Sequence, residues 1–196
     1  MSSINKWFND LGNKYLNRTD IILICKVMFV LQICLTFIVF RAMRINGLLG
    51  SLAELIWTLS LSGRLLQLIQ DTGLSALFLG LMTSAYKKGY KVPSIGYLII
   101  IMFCMGVLTF VVNSTGGQRG AFFFLSSIVT SVLQVVVGYS LQKTAFARLG
   151  KFIIAFPIVF FLSMFLLPPY AAMVLAIING TALVYAFYRH LPQYYK

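Results

Sequence analysis

The sequence predicts an all-α fold: a polytopic transmembrane helical bundle of about six spans (five to seven), preceded by an N-terminal amphipathic interfacial helix. Three observations carry that prediction. The 196 residues are 60% hydrophobic and only 10% charged, with mean hydropathy +0.90, whereas soluble domains are about one-quarter charged. Apolar runs of about twenty residues recur, each long enough to cross about 30 Å of hydrocarbon as a helix. Sixteen Lys and Arg stand against four Asp and Glu, a net charge of +12, and they collect mostly between those runs. In a soluble chain that excess would suggest nucleic acid. In a membrane chain it is the ordinary enrichment of cytoplasmic loops, so the bilayer is the expected partner and nucleic acid is not.

Residues 1–20 place Trp7, Phe8, Leu11, Tyr15 and Leu16 at helical spacing, with Asn9, Asp10, Asn13, Lys14 and Arg18 between them. This pattern suits a helix lying on the cytoplasmic membrane surface. Thr19 and Asp20 are positioned to cap the first span, 21–40, in which Lys26 lies near enough to the cytoplasmic end for its amine to snorkel to the headgroups. That run is too long for a signal-peptide core and is expected to be retained.

From 41 to 86 the apolar character is interrupted by Glu54, Arg64, Gln67, Gln70 and Asp71. As one straight helix this stretch would reach about 70 Å, so it must bend. The expected division puts 48–61 in a segment too short to span, breaks the chain at Ser62 and Gly63, and starts a second span at Leu65. The rival division counts both pieces and gives seven spans. Beyond the basic turn at 86–91, four regular spans follow at 95–112, 122–141, 152–167 and 170–188. Pro168 and Pro169 mark a tight break between the last two. The expected organisation is therefore an interfacial helix (1–20), one transmembrane domain (21–190) and a short cytoplasmic tail (191–196).

Charge sets the expected orientation. With six spans and both termini in the cytoplasm, twelve of the sixteen basic residues fall inside and Arg41, Arg44, Arg64 and Arg119 fall outside. This is the asymmetry of a multi-pass protein of the bacterial inner (plasma) membrane. Lys87, Lys88, Lys91, Lys143, Arg148 and Lys151 then form a cytoplasmic basic surface. Cys25, Cys34 and Cys104 lie inside apolar runs with no CxxC pattern and read as small core residues.

Four carboxylates and one histidine leave little material for acid, base or metal roles. His190 reads as a solvated tail residue, and no nucleophile sits beside a base. No enzymatic activity, metal or cofactor is expected. The informative feature is a polar stripe: Arg64, Gln67 and Asp71 share a helical face, with Gln70 beside it and Glu54 upstream. Such a stripe must avoid lipid. It can do so by pairing Arg64 with Asp71 or Glu54, by forming a homo-oligomer contact, or by lining a pore or substrate cavity. Gln32, Gln134 and Asn179 also lie within apolar spans and call for internal partners, while Gly73, Gly80, Gly106 and Gly138 offer sites of close helix approach.

Two functions follow as expectations. One is a non-enzymatic, oligomerising membrane-anchoring subunit, for example of a bacterial defence or secretion assembly, whose basic surface meets a soluble cytoplasmic partner. The other is a small ion channel or transporter with a path along Arg64, Gln67 and Asp71.

Overall fold

A computed structural model describes residues 3–46, 61–115 and 119–195, and within them the protein is helical with no strand. In chain order the helices are α1 (Ser3–Tyr15), α2 (Arg18–Asn46), α3 (Leu61–Lys87), α4 (Pro93–Thr115), α5 (Arg119–Leu141), α6 (Ala147–Leu166) and α7 (Pro169–His190), followed by a 3₁₀ turn, Pro192–Tyr194. Among the described residues, Arg18–Ile38, Ala147–Leu166 and Ala171–Tyr194 are long and apolar enough to cross a membrane. Pro93–Leu108 and Ser127–Leu141 are shorter apolar stretches.

Local chemistry sets most boundaries. Asn17, rather than Thr19 or Asp20, caps α2. Its Oδ1 accepts from the Asp20 N–H at 3.0 Å while the Asn17 N–H donates to Asp20 Oδ2 at 2.9 Å. This reciprocal box satisfies two donors at once, which is why the chain breaks between α1 and α2 instead of running on. At its far end α3 closes in a Schellman motif. The Tyr90 N–H donates to Ala85 O and the Gly89 N–H to Tyr86 O, and Gly89 takes φ +80°, a left-handed conformation that costs other residues more. Pro93 and Pro169 open α4 and α7, where a missing N–H costs no helical bond. Ser62 and Gly63 do not break the chain as expected; both lie in the first turn of α3. The proposed short segment 48–61 and Glu54 lie outside the described residues, apart from Leu61, where α3 begins.

The six long helices form a closed ring. Each of α3 to α6 packs on the next in sequence, α6 packs on α7, α7 returns to α2, and α2 packs on α3. Phe78 of α3 meets Phe187 of α7 edge-on across the interior, their ring centres 5.3 Å apart. The dry core is concentrated toward one end, where Ile21, Leu77, Phe78, Leu81, Leu98, Leu141, Ile153 and Phe187 are buried. Large apolar side chains instead cover the outer faces, with Phe37 71% and Phe165 74% exposed. Water would penalise such a surface, and hydrocarbon would not. Cys34 and Cys104 lie on that exterior, so only Cys25 is the core residue expected of all three.

α1 is more than a surface float. Asn5, Phe8, Asn9 and Gly12 form its buried face, and the helix packs on α3 and α4. A side chain at Gly12 would collide with Thr83, and one at Gly96 with Asn5. Glycine on one helix thus admits a polar group from the other, and the inward face differs from the apolar one read in the sequence. Trp7 and Tyr15 remain exposed at 58% and 61%, free for interfacial lipid.

Candidate functional site

Two sets of residues compete as the functional site: the polar stripe of α3 and the basic groups at the end of the ring where both termini gather. On α3, Arg64, Gln67, Gln70 and Asp71 all lie on continuous helix, but the side chains of Arg64 and Gln67 are outside the described residues. Asp71 is ten residues from the start of α3, about 15 Å along its axis. Its carboxylate packs against α4 at Gly106, where an added Cβ would lie 3.1 Å from Oδ2. The Asp71 carbonyl accepts a 2.7 Å bond from Ser75 Oγ. Among the described residues Asp71 has no ion-pair partner. Any pairing with Arg64, and the proposed contribution of Glu54, fall outside them.

Other polar groups share the middle of the ring. Asn179 Nδ2 donates to Phe156 O on the neighbouring α6 at 2.7 Å. This bond gives the Asn179 amide an internal partner within an apolar stretch. Gln32 lies against Gly180 of α7, 3.2 Å from where a Cβ would stand. Gln32 Nε2 and Gln134 Oε1 are buried without a hydrogen bond, so these two differ from Asn179 and lack the expected helix-to-helix bond among the described residues.

The basic groups are more completely described. Lys87, Lys88, Lys91, Lys143, Arg148 and Lys151 are all exposed. They come from two turns, 88–92 and 142–146, and their flanking helices, and aromatic contacts bring these turns together. Phe146, 2% exposed, caps the start of α6. Its ring centre lies 4.4 Å from that of Tyr194 and 6.5 Å from that of Tyr90. Tyr194 Oη donates to Ala145 O at 3.0 Å. Lys88 Nζ stands 5.9 Å from the centre of the Tyr194 ring, and Lys87 Nζ 5.3 Å from that of Tyr195, cation–π geometry that holds both ammonium groups near the tail.

The tail itself is structural. Leu191, Pro192 and Tyr195 are buried, and Tyr195 Oη donates to Gly80 O of α3 at 2.9 Å. Burial pushes the Tyr195 phenol up, and the group serves as a neutral donor. Residues 191–195 therefore pack into the bundle. His190 sits half-buried in the last turn of α7. Sequence reasoning identified the six cations but missed Tyr90, Phe146 and Tyr194, whose aromatic character near span ends reads equally well as lipid anchoring.

The described residues contain no group of three or more His, Cys, Asp or Glu able to hold a metal ion. No protein-family model, curated protein or solved structure matches the chain.

Proposed function

We propose that the chain is a six-span, non-enzymatic membrane subunit whose basic end is a preformed docking platform for an acidic soluble protein. In this reading the membrane is the bacterial inner membrane, and both termini and the platform face the cytoplasm. The observation that carries it is the convergence of two separate basic turns on the Tyr90, Phe146 and Tyr194 rings. Solvated loops that merely set orientation need no such mutual packing. A fixed array of cations loses less freedom on binding and steers an acidic partner toward it. The connections at this end are short, leaving room for a surface but not for a further folded unit.

Neutralising Lys143, Arg148 and Lys151 to Gln is expected to weaken capture of a co-expressed acidic partner at least tenfold. Raising the salt should reproduce the loss in the parent chain. The measurement is in-membrane crosslinking followed by co-purification, with helix orientation checked by cysteine accessibility. Partner recovery that ignores both charge and salt would sink the platform reading. Mass in mild detergent reads the number of copies directly and tests self-association, the other part of the subunit proposal.

One observation favours a second reading, in which the ring carries a cation or small polar solute. Asp71, Gln32 and Gln134 place polar groups without described partners inside the ring, and a carboxylate at that depth calls for a cation. On this reading Asp71→Asn abolishes cation-driven uptake in proteoliposomes while leaving the folded fraction intact. Uptake that persists in Asp71→Asn removes the carboxylate from the path.

A further inference from the structure

We infer that a cavity between α1 and the start of α4 binds the phosphate of an anionic phospholipid headgroup. The cavity has a volume of about 330 Å³, and its wall includes Asn5, Tyr86, Tyr90, Lys91, Pro93 and Tyr97. That is ample for a phosphoglycerol group.

Four features of this wall point to an anion. α4 is a 23-residue helix that begins at Pro93, and Pro93 lines the cavity, so the positive end of the helix dipole lies there. Asn5 is 7% exposed, lines the cavity, and makes no hydrogen bond among the described residues. Its carboxamide is therefore available to donate to a ligand oxygen there. Lys87 and Lys88 are held over the tail tyrosines, whereas Lys91 has no such ring partner among the described residues and belongs to the cavity wall. The phenols of Tyr90 and Tyr97 add polar groups suited to phosphate oxygens.

The position selects lipid over a soluble phosphate. Tyr86 and Tyr97 are 36% and 50% exposed, and tyrosine is characteristic of the headgroup layer. Beyond Tyr97, the same face of α4 continues into exposed Cys104 and Leu108, an apolar track along which acyl chains can lie while the headgroup enters the cavity. The lipid source rests on the membrane placement proposed above; the anion chemistry of the cavity rests on its own residues.

Native mass spectrometry of the full chain in mild detergent tests this, with phosphatidylglycerol and phosphatidylcholine as probes. The parent chain is expected to retain one phosphatidylglycerol more tightly than any phosphatidylcholine. Lys91→Gln should weaken that retention about fivefold or more, the worth of one interfacial cation, and Asn5→Leu should weaken it too. Lys14→Gln, an exposed charge away from the cavity, should leave it unchanged and so separate a site from general surface charge. Equal retention of the two lipids, or full retention in both Lys91→Gln and Asn5→Leu, overturns the proposal. Micromolar glycerol 3-phosphate displacing the bound lipid overturns the lipid assignment in favour of a soluble phosphate; resistance at millimolar concentration supports it. None of these outcomes depends on a protein partner, so they are separable from failure of the platform reading.

Discussion

Replacing Phe146 with Ala should lower stability by about 3–5 kcal/mol, the usual cost of emptying a large buried aromatic site, and should uncouple the two basic turns. The ring is almost wholly enclosed and touches both Tyr90 and Tyr194. Its backbone is also committed: its N–H donates to Thr144 Oγ1, and its carbonyl accepts from the Gly150 N–H at the start of α6. The truncation therefore removes packing while leaving those bonds available. Phe146→Leu, which keeps most of the volume, should cost much less. Two measurements separate stability from coupling. Thermal unfolding in detergent reads the first. Spin labels on Lys88→Cys and Lys143→Cys, with exposed Cys34 and Cys104 changed to Ser, read the second through a broadened distance distribution at temperatures where the chain is folded. An unchanged distribution in Phe146→Ala would mean that the platform is held by something other than this ring.

The second large effect is expected where α5 crosses α6. A methyl on Gly138 would lie 2.7 Å from Gly150 O, and one on Gly150 would lie 2.7 Å from Gly138 O. Both obstacles are backbone, so the helices themselves must separate. Gly138→Ala should lose about 1–3 kcal/mol to overpacking, even though Ala is the better helix former by about 1 kcal/mol. Gly138→Leu should lose more and yield little monodisperse protein. Gly180→Ala is the informative contrast, because its nearest neighbour is the Gln32 side chain at 3.2 Å, which can turn aside. Equal melting temperatures for Gly138→Ala and Gly180→Ala by fluorescence-detected size exclusion would show that the α5 and α6 crossing is not a tight one.

The helices were legible from the sequence because apolar runs, prolines and charge clusters are local signals. The expected starts and ends of the later spans differ from those of α4 to α7 by a few residues, mostly because the helices extend into polar flanks such as Asn113 and Arg119. The start of α3 was harder. Ser62 and Gly63 are poor helix formers that α3 accommodates in its first turn, a position where propensity weighs least. The inward face of α1 was illegible for a different reason. Asn5 and Asn9 look solvent-directed by type, and only Gly12 and Gly96, contributed by two different helices, make room for that packing.

The same limit applies to the sites. All six cations could be named from their spacing, but their gathering into one surface depends on Phe146 meeting residues 56 positions before it and 48 after it. Gly138 and Gly150 likewise lie on separate helices, so no short small-residue motif announces their contact. The stripe of α3 was visible as a pattern, yet its consequence depends on Gly106, whose missing side chain gives Asp71 its place.

Closure of the ring imposes an order on assembly. Ile21, Met28 and Gln32 lie on α2, the first of the six long helices to leave the ribosome. The ring is completed only when α7, the last, packs beside it, with Gly180 opposite Gln32. On the proposed membrane placement, that flank of α2 has lipid or an insertion chaperone for a neighbour throughout synthesis of the intervening chain. The Gln32 carboxamide is then the group that most disfavours lipid contact, and a nascent chain stalled before Asn179 displays it to whatever machinery sorts unfinished membrane proteins.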